Sequence, residues 1–130
     1  MKCLWEHDIR LVKAISIKLG NKLHILNLIK NYKNTVVSYM LNYYKGSLTP
    51  NPDVRCNETI KFRHNLKWGL RKKNLLATGH YVFSYKQGGV VKLKLPKDFK
   101  KDQVFFLSSV KTKFLLFFKF PLGIYNKKTV

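Results

Sequence analysis

Two prolines only two positions apart, Pro50 and Pro52, limit what this chain can fold into more than any other feature. Each fixes its own φ, lacks a backbone donor and pushes the residue before it out of the helical region. No helix can run through this stretch, so the segments on its two sides are separate elements. With the turn formers Asn51 and Asp53 alongside, SLTPNPDVRCN (Ser47 to Asn57) reads as a stiff loop. Asn57 is then placed to cap a helix running from Glu58 to about Lys72.

Before the loop, Ile9, Val12, Ile15 and Leu19 recur at helical spacing, and Gly20 comes next as a C-cap. Lys22 to Leu26 reads as a short strand. Ile29 to Tyr44 reads as a second amphipathic helix with Tyr32, Val36, Val37, Met40 and Tyr43 on one side and Gly46 ending it. After the third helix, Leu75 to Thr78 is a short apolar strand leading into Gly79-His80. Tyr81 to Tyr85 and Val90 to Leu95 flank Gly88-Gly89 as a β-hairpin. From Lys101 onward two short helical pieces are expected, the second broken by FPLG (Phe120 to Gly123). Alternating helices and strands predict an α/β layer arrangement.

Charge narrows the partners. Among 130 residues, 26 are Lys or Arg and 6 are Asp or Glu, a net charge of +20. Such a chain attracts polyanions, with nucleic acid the first candidate and an anionic membrane surface the second. The 22 Lys against 4 Arg, with abundant Asn, Ile, Phe and Tyr, also match an A/T-biased coding sequence. At 45% hydrophobic and 14% aromatic, the chain has too much core material for a disordered basic tail. The most apolar stretch, Val104 to Phe120, contains Lys111, Lys113 and Lys119. Each lysine near a bilayer centre costs about 2.5–3.5 kcal/mol, which argues against a membrane span and for a cytoplasmic protein. Two cysteines, Cys3 and Cys56, form neither a disulfide scaffold nor a zinc pattern, so no metal is expected.

Three segments could carry chemistry. Cys56 stands between the proline loop and a helix start, beside Arg55 and about one turn from Lys61. A helix N-terminus and nearby cations lower a thiol's pKa and raise its nucleophilic thiolate fraction. A small buried residue at a loop–helix junction is the other reading of the same position. ATGH (Ala77 to His80) puts Gly79 and His80 directly after a strand, where ligands of parallel sheets bind, or else forms an ordinary turn. KKDQ (Lys100 to Gln103) combines a phosphate-binding charge with a base-reading amide, or else forms a solvated helical turn. Neither GxxxxGK[ST] nor GxGxxG occurs, so these residues alone would not grip a triphosphate.

In this order, TPNPDVRCN, IKF (Ile60 to Phe62), ATGHY (Ala77 to Tyr81), KDQ leading into FFL, and FPLG resemble the tRNA-specific 2-thiouridylases, the MnmA family. Leu19-Gly20, KLHILN (Lys22 to Asn27) and YKNTV fit as well, so the resemblance covers essentially the whole chain. It implies a partial doubly wound parallel sheet of the adenine-nucleotide α-hydrolase-like kind. Residues 1–81 would be part of the nucleotide-binding domain, and 82–130 the hairpin and the start of a tRNA-binding region. The implied activity is ATP-dependent replacement of the 2-oxygen of the wobble uridine of tRNA by sulfur from a persulfide donor protein, with ATP bound as its magnesium complex. On this resemblance Asn51, Pro52 and Asp53 line the target base and Cys56 is the nucleophile that closes a disulfide with the persulfide-bearing cysteine. Gly79 touches ATP, and His80, Lys101, Asp102 and Gln103 contact tRNA.

The departures are as specific. The family's first strand, its SGGVDS pyrophosphate loop, its second catalytic cysteine and its C-terminal barrel have no counterpart among these residues. Cys3 matches a different family position and is not read as the persulfide carrier, and WGLRKKN (Trp68 to Asn74) is shorter than the family's usual connection. The chain is therefore expected to be the middle of such an enzyme and inactive alone. The alternatives are a non-catalytic tRNA-binding remnant and a generic basic RNA-binding domain.

Overall fold

The computed structural model describes residues 4–71 and 75–130; Cys3 and the end of the expected third helix lie outside the described residues. Helix α1 (Leu4–Lys18) carries Glu6 in its first turn and Lys18 in its last, each opposing the helix dipole. It ends as expected at Gly20, whose φ of 66° allows Gly20 N–H to reach Ile17 O at 3.1 Å and Asn21 N–H to reach Ser16 O at 2.9 Å. Its apolar side has little to pack against: Ile9 is half-buried, but Leu11, Val12, Ile15 and Leu19 are exposed.

The strand expected at 22–26 does not form. This stretch has no ladder partner among the described residues, and an isolated strand leaves its backbone groups unpaired. Instead His24 rests its ring 5.1 Å from that of Trp68.

Helix α2 spans 29–45, as its periodicity predicts, and widens into a π-helical turn at Lys33–Val37. It ends at Gly46, as expected. Gly46 is the C-cap with φ −89°, and the left-handed position falls on Ser47 at φ 55°. Ser47 N–H then reaches Tyr44 O at 3.0 Å and Leu48 N–H reaches Tyr43 O at 2.9 Å.

The proline segment also differs from a long loop. Helix α3 spans 52–71 and starts at Pro52 itself, the first helical position, where a missing N–H costs nothing. Asn51, not Asn57, is the cap: its Oδ1 accepts from Val54 N–H at 3.1 Å. Asn57 lies inside the helix, at the start of a π-helical stretch Asn57–His64.

Strand β1 (Leu76–Ala77) matches the predicted strand and pairs in parallel with β4 (Phe118–Lys119), which falls in the region expected to be helical. Strands β2 (Phe83–Gln87) and β3 (Val90–Lys94) form the predicted hairpin, with Gln87 opposite Val90. Gly88 and Gly89 both take positive φ, 58° and 76°, as a two-residue hairpin turn requires. Between β3 and β4 the chain makes 3₁₀ turns at Phe99–Lys101 and Phe105–Leu107 and the short helix α4 (Thr112–Leu115); another 3₁₀ turn comes after β4 at Pro121–Ile124.

One core joins α3 to the strands and the segments between them. Phe62 and Leu66 from α3 pack with Val82, Val91, Leu107, Val110, Leu115, Phe118 and Phe120. The Phe62 ring lies 4.5 Å from that of Phe118 and 6.2 Å from that of Phe120. Residues on both sides of position 81 contribute to this cluster. The arrangement is α/β, with a two-stranded parallel pair flanked by helices.

Candidate functional site

The carboxyl end of β1 points the chain toward α3, and this meeting builds the site. Thr78 comes directly after β1 and donates N–H to Lys119 O at 3.0 Å, which holds the turn against β4. Gly79 comes next and is exposed; a Cβ there would meet nothing within 4 Å, so space is open for a ligand. His80 turns inward and is only 9% exposed. Its Nδ1 lies 2.6 Å from Thr78 Oγ1 and its Nε2 lies 3.2 Å from Asn57 Oδ1. Asn57 is 2% exposed, and its Nδ2 donates to Phe106 O at 3.0 Å.

Burial, and secondarily the nearby Lys61 ammonium, lower the His80 pKa to about 4, so the imidazole is neutral at physiological pH. Asn57 gives its Nδ2 to the Phe106 carbonyl and so turns Oδ1 to the ring; the neutral imidazole's proton therefore sits on Nε2, and Nδ1 accepts from the Thr78 hydroxyl. Both ring nitrogens are committed inside the protein. Among the residues expected to face tRNA, His80 is therefore the one that turns away from solvent.

The KDQ segment takes two forms of anchorage. Gln103 and Tyr81 are joined twice: Tyr81 N–H donates to Gln103 Oε1 at 2.8 Å, and Gln103 N–H donates to Tyr81 O at 3.2 Å. This leaves the Gln103 side-chain amide as a free donor. Asp102 Oδ1 accepts from Val104 N–H at 2.9 Å and rigidifies the turn, while Lys101 is exposed. A cavity of about 220 Å³ lies between these parts, lined by Asp53, Asn57, Lys61, His80, Gln103 and Phe106. The structure thus brings together Asp53, His80 and Gln103, which are far apart in sequence. A second cavity, of about 310 Å³, adjoins it through Lys61 and His80 and is lined by His24, Leu26, Asn65, Trp68, Leu76–Thr78 and Phe118.

Cys56 is half-buried on α3, one turn after Asp53 and next to Asn57. The expectation of a lowered pKa is overturned. Burial raises the thiol's pKa, Lys61 opposes that, and Asp53 adds to it. Burial is the main cause, and the helix N-terminus does not offset it, since Cys56 is the fifth helical residue, beyond the first turn where the dipole acts. Arg55 gives no help either, since its Nη1 donates to Glu58 Oε2 at 2.8 Å and its guanidinium lies 5.6 Å over the Tyr39 ring. Asn51 and Pro52 are half-buried at the helix start, with the Asn51 carbonyl oxygen of the side chain occupied as a cap. Sequence reasoning misses Asn57 and Thr78 as site residues. The Asn after DVRC is legible only as a cap, because its partners come from 23 and 49 residues away.

A family profile described as the tRNA methyl transferase HUP domain matches residues 1–130. The chain belongs to this family, that of the tRNA-specific 2-thiouridylases. It is 40% identical over 131 residues to the tRNA-specific 2-thiouridylase MnmA of Phytoplasma australiense, covering 98% of this chain and 35% of that protein. It is 36% identical over 134 residues to the protein of the same name from Karelsulcia muelleri (strain GWSS), covering 99% and 35%. With that of Pseudomonas putida (strain W619) the identity is 37% over 129 residues, covering 98% and 34%. The chain therefore spans about a third of the length of the curated relatives it matches. Among the described residues no helix is long and apolar enough to cross a membrane, and no cluster of three His, Cys, Asp or Glu side chains could hold a metal ion.

Proposed function

We propose that this chain is the central part of a tRNA 2-thiouridylase, acting in the cytoplasm on the wobble uridine of tRNA with ATP and a persulfide donor protein. The observation that carries this reading is the cavity on which Asp53 and Gln103 converge, with Cys56 one helical turn from Asp53. The family profile speaks of methyl transfer and the relatives' names of thiolation. A half-buried thiol one helical turn from Asp53 supports the sulfur reading, because a thiol can resolve a persulfide by thiol–disulfide exchange.

In this reading Asn51, Pro52 and Asp53 position the uracil at the start of α3, and Lys101, Asp102 and Gln103 engage the RNA from the facing turn. His80 supports that surface from beneath. The parallel pair β1–β4 belongs to a larger doubly wound sheet, and the cavity at its carboxyl end, lined by Thr78 and His80 on either side of exposed Gly79 in sequence, takes the adenosine part of ATP. Its volume sits at the lower end of ligand pockets, roughly 300–1,000 Å³, which suits a nucleoside better than a whole triphosphate. ATP supplies the activation: the uridine 2-oxygen takes the adenylyl group and pyrophosphate leaves. The persulfide's outer sulfur then attacks C2 and adenosine monophosphate departs with the oxygen. Cys56 Sγ, as thiolate, attacks the inner sulfur; the new S–S bond frees the outer sulfur on the base, and a reductant later returns both thiols.

The test is single-turnover thiolation with ATP, a persulfide donor and unmodified tRNA, with this chain joined to the remaining parts of its relatives. Cys56→Ser abolishes 2-thiouridine formation and changes tRNA affinity less than about twofold, since a hydroxyl cannot make the disulfide. The 130 residues alone bind tRNA weakly and give no 2-thiouridine. Thiolation by the Cys56→Ser enzyme would overturn the role of Cys56, and thiolation by the short chain would overturn the assignment as one part of an enzyme.

A further inference from the structure

We propose that Asn57 is a positioning residue: through His80 on one side and the Phe106 carbonyl on the other, it holds the helix bearing Asp53 and Cys56 in register with the Gln103 turn. This deepens the proposed function and rests on it only for what the register serves. Asn57 is almost wholly buried, so each polar atom of its carboxamide needs a partner. Oδ1 is 3.2 Å from His80 Nε2, and Nδ2 donates to Phe106 O at 3.0 Å. Three chain segments, around positions 57, 80 and 106, thus meet at one side chain.

The hydrogen-bond directions lock one another. Phe106 O can only accept, so Asn57 Nδ2 faces it and Oδ1 faces His80 Nε2, which carries the proton; in the neutral ring Nδ1 then accepts from the Thr78 hydroxyl 2.6 Å away. The flipped amide would set two donors against each other and two oxygens against each other. A neutral, Nε2–H imidazole satisfies every partner in this network, and burial disfavours the imidazolium that would reverse the Thr78 bond. The groups around it agree: Lys61 from α3 and burial both oppose the imidazolium, with Asp53 across one cavity and His24 across the other as the remaining titratable side chains. Asn57 opens the π-helical stretch, whose wider turns shift the later side chains relative to an α-helix, a feature concentrated at functional sites.

Nitrogen-detected NMR of the full chain tests this without tRNA or turnover. The His80 ring is expected to show protonated Nε2 and unprotonated Nδ1, and to stay neutral from pH 8 down to about pH 5, well below an ordinary histidine's midpoint near 6.5. Asn57→Asp keeps an acceptor for Nε2–H and loses the donor to Phe106, so His80 titrates at least about one unit higher and the amide signals of residues 103–106 move. Asn57→Ala loses the single-tautomer signature; where that variant does not fold, Asn57→Asp reads the same coupling. A wild-type His80 that titrates near its ordinary midpoint, or amide signals of 103–106 that stay fixed in Asn57→Asp, would overturn the proposal. A chain that passes but binds no tRNA overturns the functional reading alone.

Discussion

Thiolate fraction governs what Cys56 can do, and its surroundings pull in opposite directions. Burial and the Asp53 carboxylate favour the thiol, and Lys61 favours the thiolate, with burial the largest influence. A thiol whose folded pKa lies above its ordinary value is less ionised at neutral pH than the same thiol in the unfolded chain. Alkylation of Cys56 by iodoacetamide near pH 7.5 is therefore expected to be slower in the native chain than in urea. Asp53→Asn should speed it and Lys61→Gln should slow it, each by roughly twofold to fivefold. Peptide mass mapping over a pH series checks this by tracking Cys56 apart from Cys3; equal rates in Asp53→Asn and Lys61→Gln would contradict it. The residue is legible in the sequence, but its environment is not. The sequence places Cys56 beside Arg55 and at a helix start, whereas Asn51 and Pro52 begin the helix earlier and Arg55 is spent on Glu58 and Tyr39. Cap choice between two asparagines, Asn51 and Asn57, depends on which one is needed elsewhere, and only the fold reveals that Asn57 is needed at His80.

At the scale of elements, local signals succeed where the chain's own neighbours determine conformation. The α1 end at Gly20, the length of α2 and the Gly88-Gly89 hairpin all result from short-range chemistry. They fail where a distant partner decides. The 22–26 stretch lacks a neighbouring strand among the described residues, while Phe118–Lys119 becomes β4 only because β1 lies beside it. Two glycines separate packing from ligand access in the same way. Gly123, in the 3₁₀ turn at Pro121–Ile124, is buried with Val82 O directly where a Cβ would project, and its own carbonyl accepts from Lys97 N–H at 2.9 Å. Gly123→Ala must displace backbone rather than a flexible side chain, and is expected to cost about 2–3 kcal/mol in urea unfolding. Gly79→Ala meets open space, so its stability should stay within about 0.5 kcal/mol of the parent. A destabilised Gly79→Ala would mean that the β1 end is packed rather than open, and an unaffected Gly123→Ala that the 121–124 turn stands clear of Val82.

For the whole molecule, the net charge of +20 and the small number of residues in the cavity have to be weighed against each other. Twenty-six cations spread over a chain of this size attract any polyanion, so tRNA affinity by itself says little about the site. Salt dependence separates the two contributions. Each neutralised phosphate releases counterions, and the slope of log affinity against log salt is about −0.9 per contact on duplex and about −0.7 on single strands. With contacts limited to one face, about three to five phosphates engaged would give a slope of roughly −2 to −4, a loss of about tenfold to several hundredfold between 50 and 200 mM salt. Lys101 stands exposed at the turn that presents Gln103, so Lys101→Ala should make the slope shallower by about 1. Lys18 ends α1 and belongs to none of the segments that line the site, so Lys18→Ala is the matched control with the same loss of charge. Fluorescence anisotropy with labelled tRNA at several salt concentrations measures both variants. If binding is focused on the site, Lys101→Ala changes the slope and Lys18→Ala leaves it nearly unchanged. Equal changes would mean that the charge binds RNA over the whole surface, and the generic basic domain would then describe this chain better than a tRNA-modifying site.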